Sequence, residues 1–404
     1  MQTDLRNYLD FFKHAQSGLK EKTGIWFRFL QRERDKGNVP FGRVQHSERT
    51  RSADLGDKPL VMLGSNDYLG LSKHPRVVSA MHQALDDFGS GTSGSPLLSG
   101  RYDVTRALEQ KLAALHGVED AIAFSSTYAA NIGLISGLLS ENDIALLDAF
   151  SHTSIDDGAL MAGCKKLTFR HNDITHLTQR LEEVDPERTL VFVDSVYSME
   201  GSFCPLAELS AVTREKGAIL AVDEAHALGV VGSKGGGLTT HLNLSDQVDV
   251  ITGSLGKSLG SHGGYAASTK EMCEYLRFNA HSYMFSSGLP PVNAATALAA
   301  LEVMEEEDLC ARLQGNIRFM REKLTALGFE VTADPTGIIP IPVGEETKTM
   351  EVAAQLEREG IFANATVFPA VPVGKGMLRI SANAAHQQDD VARALEKIAE
   401  LVNS

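Results

Sequence analysis

Several residues that can do covalent and acid–base chemistry follow short apolar runs of the sequence. Asp223 and His226 follow AILAV, and Lys257 comes after VDVITGSLG, with Ser254 three positions before it. A lysine amine can form a Schiff base with an aldehyde, and a carboxylate can keep a ring nitrogen protonated so that the ring accepts electrons. The pattern therefore indicates a site for an aldehyde-bearing heterocycle.

A predicted phosphate-binding segment accompanies these groups. Ser125, Ser126 and Thr127 stand between the predicted strand AIAFSS and the predicted helix YAANIGLISGLL, so helix N-terminal N–H groups and hydroxyls are available to an anion. His152, in DAFSHTS, offers a flat ring that can stack on a cofactor. A Schiff-base lysine, an acid for a ring nitrogen and a phosphate site are together what pyridoxal 5'-phosphate (PLP) requires.

The elements that must hold these residues form an alternating pattern from about residue 120 to 265. Short apolar runs, from AIAFSS to GGYAAS, are separated mostly by amphipathic helical patterns. This alternation predicts an α/β fold with a mostly parallel sheet covered by helices, and it places the polar residues at the carboxyl ends of the strands. We therefore expect an N-terminal arm over residues 1–58, a large PLP-binding domain over 59–291 and a smaller α+β domain over 292–404.

The composition is that of an ordinary globular protein and disfavours several function classes. The 404 residues are 43% hydrophobic and 22% charged, with a formal net charge of −14, which does not favour nucleic-acid binding. The charged N-terminus MQTDLRNYLDFF lacks the apolar core of an export signal, and no run approaches the roughly 20 apolar residues of a membrane span. The four cysteines are far apart, so we expect a cytoplasmic protein without a metal site or a disulfide framework.

Three short motifs suggest other chemistry. DEAH at 223–226 and GSLGKS at 253–258 resemble parts of a nucleotide hydrolase, but the glycine-containing stretch is too short for a phosphate loop. GSGTSG at 89–94 fits a dinucleotide fingerprint, yet it follows a helical pattern and leads into a further loop. GKSLG at 256–260 fits a nucleophile elbow after a predicted strand, so a serine acyl hydrolase that uses Ser258 remains an alternative.

A series of longer motifs extends over most of the chain. They are NDYLGL (66–71), DAFSHTSIDDG (148–158), FRHNDI (169–174), DSVYSMEGSFCPL (194–206), VDEAH (222–226), TGSLGKSLG (252–260), FSSGLPP (285–291) and LRISANAAH (378–386). In this combination the sequence resembles the α-oxoamine synthases, which are fold-type I PLP enzymes, from about residue 24 to the C-terminus. The glycine-rich loop GSGTSGSPLLSG leans toward the serine palmitoyltransferase branch, and the 8-amino-7-oxononanoate synthase and 2-amino-3-ketobutyrate CoA ligase branches are also similar.

The resemblance implies a PLP-dependent acyltransferase that condenses a small amino acid with an acyl thioester and releases CO2, leaving an α-amino ketone. It implies catalytic roles at the cofactor for Lys257 (Schiff-base lysine), Asp223 (pyridinium nitrogen), His226 (cofactor oxygen), His152 (stacked on the ring) and Ser198 (beside the cofactor oxygen and the thioester). It implies cofactor contacts in the phosphate region from Ser126, Thr127, Tyr128 and Ser254, and from Ser286 of the neighbouring subunit of a homodimer. Finally, it implies an amino-acid pocket lined by Asn66 and Arg379, whose planar guanidinium suits a carboxylate.

Three positions depart from the expected pattern. Pro96 stands where the serine palmitoyltransferase branch has an arginine in the glycine-rich loop, and Val367 occupies the place of an arginine that helps to hold the serine carboxylate. Thr127 replaces a family glycine in the phosphate-binding turn. Serine, glycine and alanine therefore all remain open as the amino acid, and the acyl donor is either a CoA or an acyl-carrier-protein thioester. A fold-type I aminotransferase, with the same lysine and aspartate, is the nearest alternative in mechanism.

Overall fold

The helices and strands of the chain come from a computed structural model that describes residues 18–37, 39–42, 52–55 and 58–404. Its α-helices are α1 Leu19–Asp35, α2 Pro75–Phe88, α3 Asp103–His116, α4 Thr127–Leu138, α5 Thr153–Ala162, α6 Ile174–Glu182, α7 Leu206–Lys216, α8 Gly237–His241, α9 Lys270–Asn279, α10 His281–Met284, α11 Pro291–Glu306, α12 Leu309–Ala326, α13 Glu346–Arg358 and α14 Gln388–Asn403. Its strands are β1 Ser52–Leu55, β2 Lys58–Met62, β3 Asp120–Phe124, β4 Ile144–Asp148, β5 Lys165–Phe169, β6 Thr189–Asp194, β7 Ile219–Asp223, β8 Val250–Ser254, β9 Gly264–Ser268, β10 Ile338–Gly344, β11 Ile361–Phe362, β12 Asn364–Thr366 and β13 Gly376–Ser381. None of these helices combines the length and the apolar composition that crossing a bilayer requires.

The chain divides into two compact units. The larger takes residues 66–317 and 333–337, and the smaller takes its described residues from 1–65, 318–332 and 338–404. Part of the expected arm over residues 1–58 lies outside the described residues. The expected division of the chain into an arm, a large domain and a small domain therefore stays a prediction.

The larger unit is built on a seven-stranded sheet with the order β3-β9-β8-β7-β6-β4-β5. Neighbours from β8 through β5 pair in parallel, whereas β9 pairs antiparallel with both β3 and β8. Every residue of β3, β6, β8 and β9 is buried. Strands that are buried on both faces have continuous apolar sequences because helices cover both sides of the sheet. The predicted α/β fold with a mostly parallel, helix-covered sheet is confirmed.

Helix α4 begins at the predicted phosphate-binding segment and is largely buried. Two glycines on this helix allow other segments to approach it. A Cβ on Gly133 would lie 2.4 Å from Oγ of Ser282, and one on Gly137 would lie 3.1 Å from backbone atoms of Ala280. A larger residue at either position would displace the helix or the segment that packs on it, so these glycines help to set the position of the helix N-terminus.

The smaller unit contains two three-stranded sheets, β10-β13-β12 and β1-β2-β11. In the first sheet β13 pairs antiparallel with both neighbours, and Arg379 lies opposite Pro340 on one side and Asn364 on the other. Helix α14 buries apolar residues at helical spacing, among them Val391, Leu395 and Ile398. This part of the chain has the α+β character predicted from its sequence.

Candidate active site

A pocket of about 260 Å³ opens at the carboxyl edge of the seven-stranded sheet. Its walls come from residues that follow β4, β6, β7 and β8 and from the N-terminus of α4. The lining residues are Ser126, Thr127, Tyr128, His152, Asp194, Val196, Ser198, Asp223, Ala225, His226, Ser254, Gly256, Lys257, His262 and Gly263. Parallel strands present their carboxyl ends at one edge, which explains why residues distant in the sequence meet here.

The pocket brings together most of the residues predicted from the sequence. Those that line it are Lys257, Asp223, His226, His152, Ser198, Ser126, Thr127, Tyr128 and Ser254. Asn66 and Ser286 are half-buried in loops of the larger unit, and Arg379 is buried on β13 of the smaller unit. None of these last three is among the described residues that line the pocket. The role of each predicted residue stays a prediction.

The N-terminus of α4 forms one end of the pocket. Ser126 is the N-cap residue, and its Oγ accepts a hydrogen bond from the backbone N–H of Ala129 at 3.0 Å. The first N–H groups of a helix have no partner within the helix, so this end attracts an anion. Gly264 makes room for the turn, since a Cβ there would lie 2.4 Å from both N and Cα of Thr127. With the hydroxyl of Ser254 also in the lining, this end fits a phosphate group.

Two carboxylates stand side by side at the ends of β6 and β7. Asp194 and Asp223 are paired in register, and both are buried. Asp223 accepts hydrogen bonds from Nδ2 of Asn131 and from the backbone N–H of Ala225, both at 2.8 Å. Burial and the charge of Asp223 raise the pKa of Asp194 well above its usual value, and the charge of Lys257 opposes that shift. Oδ1 of Asp194 is buried without a hydrogen-bond partner in the described part of the chain, which favours a further group bound in the pocket.

His152 is attached to this carboxylate pair through its backbone. Its N–H donates to Oδ2 of Asp194 at 3.1 Å, and its side chain caps α5 by accepting a hydrogen bond from the backbone N–H of Ser154. Burial lowers the pKa of the imidazole, although the negative charge of Asp223 opposes this effect. A lowered pKa favours the neutral ring, which suits a group that stacks on a heterocycle.

His226 is held by a tyrosine that the sequence analysis did not single out. Oη of Tyr68 lies 2.8 Å from Nδ1 of His226 and donates toward Oδ1 of Asn66, 3.3 Å away. Tyr68 is fully buried. Asn66, predicted to line the amino-acid pocket, is thereby linked to a residue predicted to contact the cofactor. The motif NDYLGL contains both Asn66 and Tyr68, so it carried a signal for the tyrosine.

Lys257 and Ser258 both follow β8 but have different environments. Lys257 lines the pocket, and its charge acts on both Asp194 and His152. Ser258 is only 1% exposed, and its hydroxyl donates to the backbone carbonyl oxygen of Leu228 at 2.5 Å. A serine nucleophile needs its hydroxyl bonded to a general base, whereas this one is bonded to the backbone. The alternative of a serine hydrolase that uses Ser258 is therefore not favoured.

Sequence reasoning placed Asp194 at the carboxyl edge of the sheet without giving it a role, and it missed two further contributors to the site, Asn131 and His262. Asp194 ends a strand in the same way as Asp223, so its position was a usable signal. Asn131 lies within an apolar helix, where no local pattern connects it to Asp223 on another element. His262 is an exposed lining residue in the loop after β8.

The residues in the pocket fit PLP. Lys257 can hold its aldehyde carbon, Asp223 its protonated ring nitrogen, and the N-terminus of α4 its phosphate. The flat ring of His152, whose pKa is lowered, and the buried Oδ1 of Asp194, which has no hydrogen-bond partner among the described residues, are compatible with a heterocycle at the same place.

Comparison with known proteins supports this interpretation. Residues 58–398 match the aminotransferase class I and II family. The chain is 37% identical to serine palmitoyltransferase of Sphingobacterium spiritivorum, over 92% of this chain and 94% of that protein. It is 38% identical to 8-amino-7-oxononanoate synthase of Geobacter metallireducens, over 88% of this chain and 92% of that protein.

Solved structures of the same kind resemble this fold. The structure of Sphingomonas wittichii serine palmitoyltransferase aligns with a TM-score of 0.87 at 34% identity, covering 92% of this chain and 96% of that chain. A high-resolution serine palmitoyltransferase structure with PLP aligns with a TM-score of 0.91 at 32% identity, covering 95% and 98% respectively. The predicted family and the predicted PLP cofactor are confirmed. The chain belongs to the aminotransferase class I and II family and, within it, to the PLP-dependent α-oxoamine synthases.

Proposed function

We propose that this chain catalyses the decarboxylative condensation of serine, glycine or alanine with an acyl thioester, which yields an α-amino ketone, CO2 and a free thiol. The observation that carries this proposal is the convergence of Lys257, Asp223 and the N-terminus of α4 in one pocket. The similarity to serine palmitoyltransferase and 8-amino-7-oxononanoate synthase supports it. When bound, PLP supplies an electron sink for the pair left at the amino acid's Cα.

The chain's own residues then have distinct tasks. Nζ of Lys257 moves the Cα proton, and the carboxylate of Asp223 keeps the cofactor's ring nitrogen protonated through the reaction. His226 holds the cofactor's ring oxygen, and Ser198 lies beside that oxygen and the thioester. Such fixed charges and hydrogen bonds lower the barrier because they are already oriented before charge develops.

The phosphate contacts are proposed for the end of the pocket at α4. Ser126 shapes that end by capping the helix, while Thr127, Tyr128 and Ser254 contact the phosphate itself. The hydroxyl of Ser126 accepts from the N–H of Ala129, which orients the helix N-terminus, and its own proton stays available to a phosphate oxygen. Thr127 stands in place of a family glycine, and this replacement is compatible with phosphate binding because the backbone N–H of residue 127 makes the contact to the phosphate.

Arg379 and Asn66 are proposed to bind the amino acid. Arg379 is only 6% exposed, and a buried arginine is well suited to a planar, two-oxygen carboxylate. Val367, which replaces a second arginine, is buried just before Phe368 and Pro369. A valine cannot pair with a carboxylate, so the choice among serine, glycine and alanine depends on the remaining contacts.

A homodimer is proposed from the loops that carry Ser286 and the glycine-rich segment. The backbone N–H of Gly288 donates to the carbonyl oxygen of Gly94 at 3.1 Å, which packs the two loops together. Phe285 and Leu98 on these loops are 78% and 87% exposed. Large apolar side chains at such exposure favour a surface covered by a second copy, with Ser286 reaching that copy's phosphate. A single species of monomer mass in sedimentation velocity would contradict this part of the proposal.

The deciding experiment measures the binding of the amino acid first and the reaction with the acyl thioester second. Purified holoenzyme is titrated with glycine, alanine and serine while the visible absorbance of bound PLP is followed. The buffer contains a reducing agent, because we propose that the protein is cytoplasmic. A panel of acyl-CoA and acyl-carrier-protein thioesters is then added, and free thiol, CO2 and the ketone are quantified. Thiol and CO2 released in equal amounts support the condensation. A keto acid formed from the amino donor without thiol release would indicate an aminotransferase instead.

A further inference from the structure

Two fully buried side chains, Asn131 and Ser154, connect Asp223 to His152 through an unbroken series of hydrogen bonds. Nδ2 of Asn131 lies 2.8 Å from Oδ2 of Asp223 and 2.9 Å from Oγ of Ser154. Oγ of Ser154 in turn lies 2.7 Å from Nδ1 of His152. Asn131 and Ser154 have no exposed surface, so water does not compete for the contact between them or for the contact of Asn131 with Asp223, whereas His152 at the other end is exposed. Asn131 and Ser154 are not among the residues proposed to contact the cofactor or the substrates.

The direction of each hydrogen bond follows from the chemistry of the groups. The carboxylate of Asp223 only accepts, so the amide nitrogen of Asn131, and not its oxygen, must face it. The second N–H of the same amide then points to Oγ of Ser154. Because that oxygen accepts from Asn131, its own proton is free to be donated to Nδ1 of His152.

Nδ1 of His152 therefore meets two donors. One is the hydroxyl of Ser154 at 2.7 Å, and the other is the backbone N–H of Ser154 at 3.2 Å. A protonated Nδ1 would turn its hydrogen against the backbone N–H, which can only donate, and would require the Ser154 hydroxyl to rotate its own proton away, so Nδ1 keeps its lone pair. The ring proton must then reside on Nε2, which is the neutral tautomer.

The charges around His152 are compatible with this state. Asp223 and Asp157 favour a charged ring, and Lys257 together with burial disfavours it. Asp194 accepts from the backbone N–H of His152, and the edge of the Tyr128 ring lies at a centroid distance of 6.5 Å. Burial is the largest of these effects and lowers the pKa of the imidazole.

We propose that Asn131 and Ser154 are positioning residues, which hold His152 as the neutral Nε2–H tautomer and hold the Asp223 carboxylate with the same set of hydrogen bonds. This inference rests on the proposed function, since it concerns the two groups proposed to contact the cofactor's ring. A neutral imidazole can lie against a protonated heterocycle without charge repulsion, and Nε2–H remains a donor toward the pocket. One series of hydrogen bonds would thus prepare both the stacking group and the ring-nitrogen partner.

The test reads the tautomer directly. Holoenzyme labelled with ¹⁵N-histidine is studied by long-range ¹H–¹⁵N NMR, with the His152 signal assigned by its loss in His152→Gln. Wild type should show the Nε2–H pattern without titration between about pH 6 and 8. An Nδ1–H pattern, or an imidazolium at neutral pH, in the wild-type protein would overturn the proposal without any variant.

Variants then test the two positioning residues. Ser154→Ala should let His152 populate the other tautomer and titrate at higher pH, whereas Ser154→Thr, which keeps a hydroxyl, should restore the wild-type pattern. Asn131→Ala should slow the exchange of glycine's Cα hydrogen with solvent by about 10-fold or more, because Asp223 loses a donor. Ser136→Ala is the matched control, since that hydroxyl on the same helix bonds only to the carbonyl of Ile132 in the described contacts.

The outcomes separate this inference from the proposed function. If no substrate pair condenses but the His152 signal behaves as expected, the proposed reaction fails and the tautomer assignment stands. If condensation occurs while folded Ser154→Ala shows an unchanged His152 signal, the positioning role is wrong. A Ser154→Ala protein that does not fold leaves the decision to the wild-type spectrum and to Ser154→Thr.

Discussion

The phenol oxygen of Tyr68 lies 2.8 Å from Nδ1 of His226, although 158 positions separate the two residues in the sequence. The two rings meet edge to face, with a centroid distance of 6.1 Å and an angle of 70° between their planes. Tyr68 is fully buried, so its hydroxyl and the imidazole constrain each other. This contact fixes Nδ1 of His226 against Tyr68 and so sets the orientation of the imidazole at the edge of the pocket.

Replacing Tyr68 by Phe tests this contact. Tyr68→Phe should weaken PLP binding by about 10-fold, which corresponds to the loss of one buried hydrogen bond of roughly 1.4 kcal/mol. Equilibrium dialysis of PLP against the variant measures the change. Tyr275→Phe is the control, because Tyr275 is a half-exposed tyrosine on α9. Equal affinity in both variants would show that Tyr68 does not position His226.

Lys257→Ala should abolish both turnover and the visible absorbance of lysine-bound PLP. The physical reason is that alanine has no amine, so position 257 can no longer form the covalent bond to the cofactor's aldehyde that gives the absorbance. Absorbance spectra before and after borohydride treatment, with mass spectrometry of the peptide, measure the outcome. Lys234→Ala, at an exposed lysine of the same unit, is the control. A yellow and active Lys257→Ala protein would refute the assignment.

Asp223→Asn should leave the fold intact and slow Cα proton removal by about 100-fold or more, since an amide does not hold the ring nitrogen protonated. Exchange of the glycine Cα hydrogen with deuterated solvent gives the rate without the second substrate. Asp308→Asn, at an exposed position, serves for comparison. An unchanged exchange rate would mean that Asp223 has another role.

Ser258→Ala should remain active and lose about 1 kcal/mol of stability. The hydroxyl bonds to the carbonyl oxygen of Leu228, and a typical buried hydrogen bond contributes about that much. Urea unfolding and the thiol-release assay measure the two quantities. An inactive but folded variant would revive the serine hydrolase alternative.

His171 predicts a pH dependence of stability. Its Nδ1 lies 2.9 Å from Oδ1 of Asp148, its Nε2 lies 3.2 Å from Oε2 of Glu200, and its ring stacks on Phe150. Burial alone would lower its pKa, but the two carboxylates outweigh burial and raise the pKa from 6.5 to about 9. The folded protein therefore holds the proton more tightly than the unfolded chain does.

The sign of the effect follows from that difference. The stabilisation from His171 is fully present below about pH 6.5 and is lost as the pH rises through about 9, amounting to about 3 kcal/mol. Urea unfolding across this range should show the loss in wild type and not in His171→Gln. His82→Gln, at an exposed histidine, should behave like wild type. Identical pH profiles for wild type and His171→Gln would contradict the prediction.

The sequence alone was sufficient to predict the fold and most of the residues that meet in the pocket. Asp223, Ser254 and Lys257 each end or follow an apolar run, and parallel strands bring such positions to one edge whatever the details of packing. The turn from Ser126 into α4 was likewise readable, because a helix N-terminus after a strand has a local sequence signature. The motif series then identified the family and its cofactor.

Only the tertiary structure decided how these residues are held. The contacts of Asn131 with Asp223, of Tyr68 with His226 and of His171 with Asp148 join segments 92, 158 and 23 positions apart. The same holds for Ser258, which matches a nucleophile motif but is bonded to a backbone carbonyl inside the fold. Hydrogen bonds between distant segments depend on distances and angles of a few tenths of an ångström and a few degrees. No periodicity or local motif records such geometry, because it arises only once the helices have packed on the sheet.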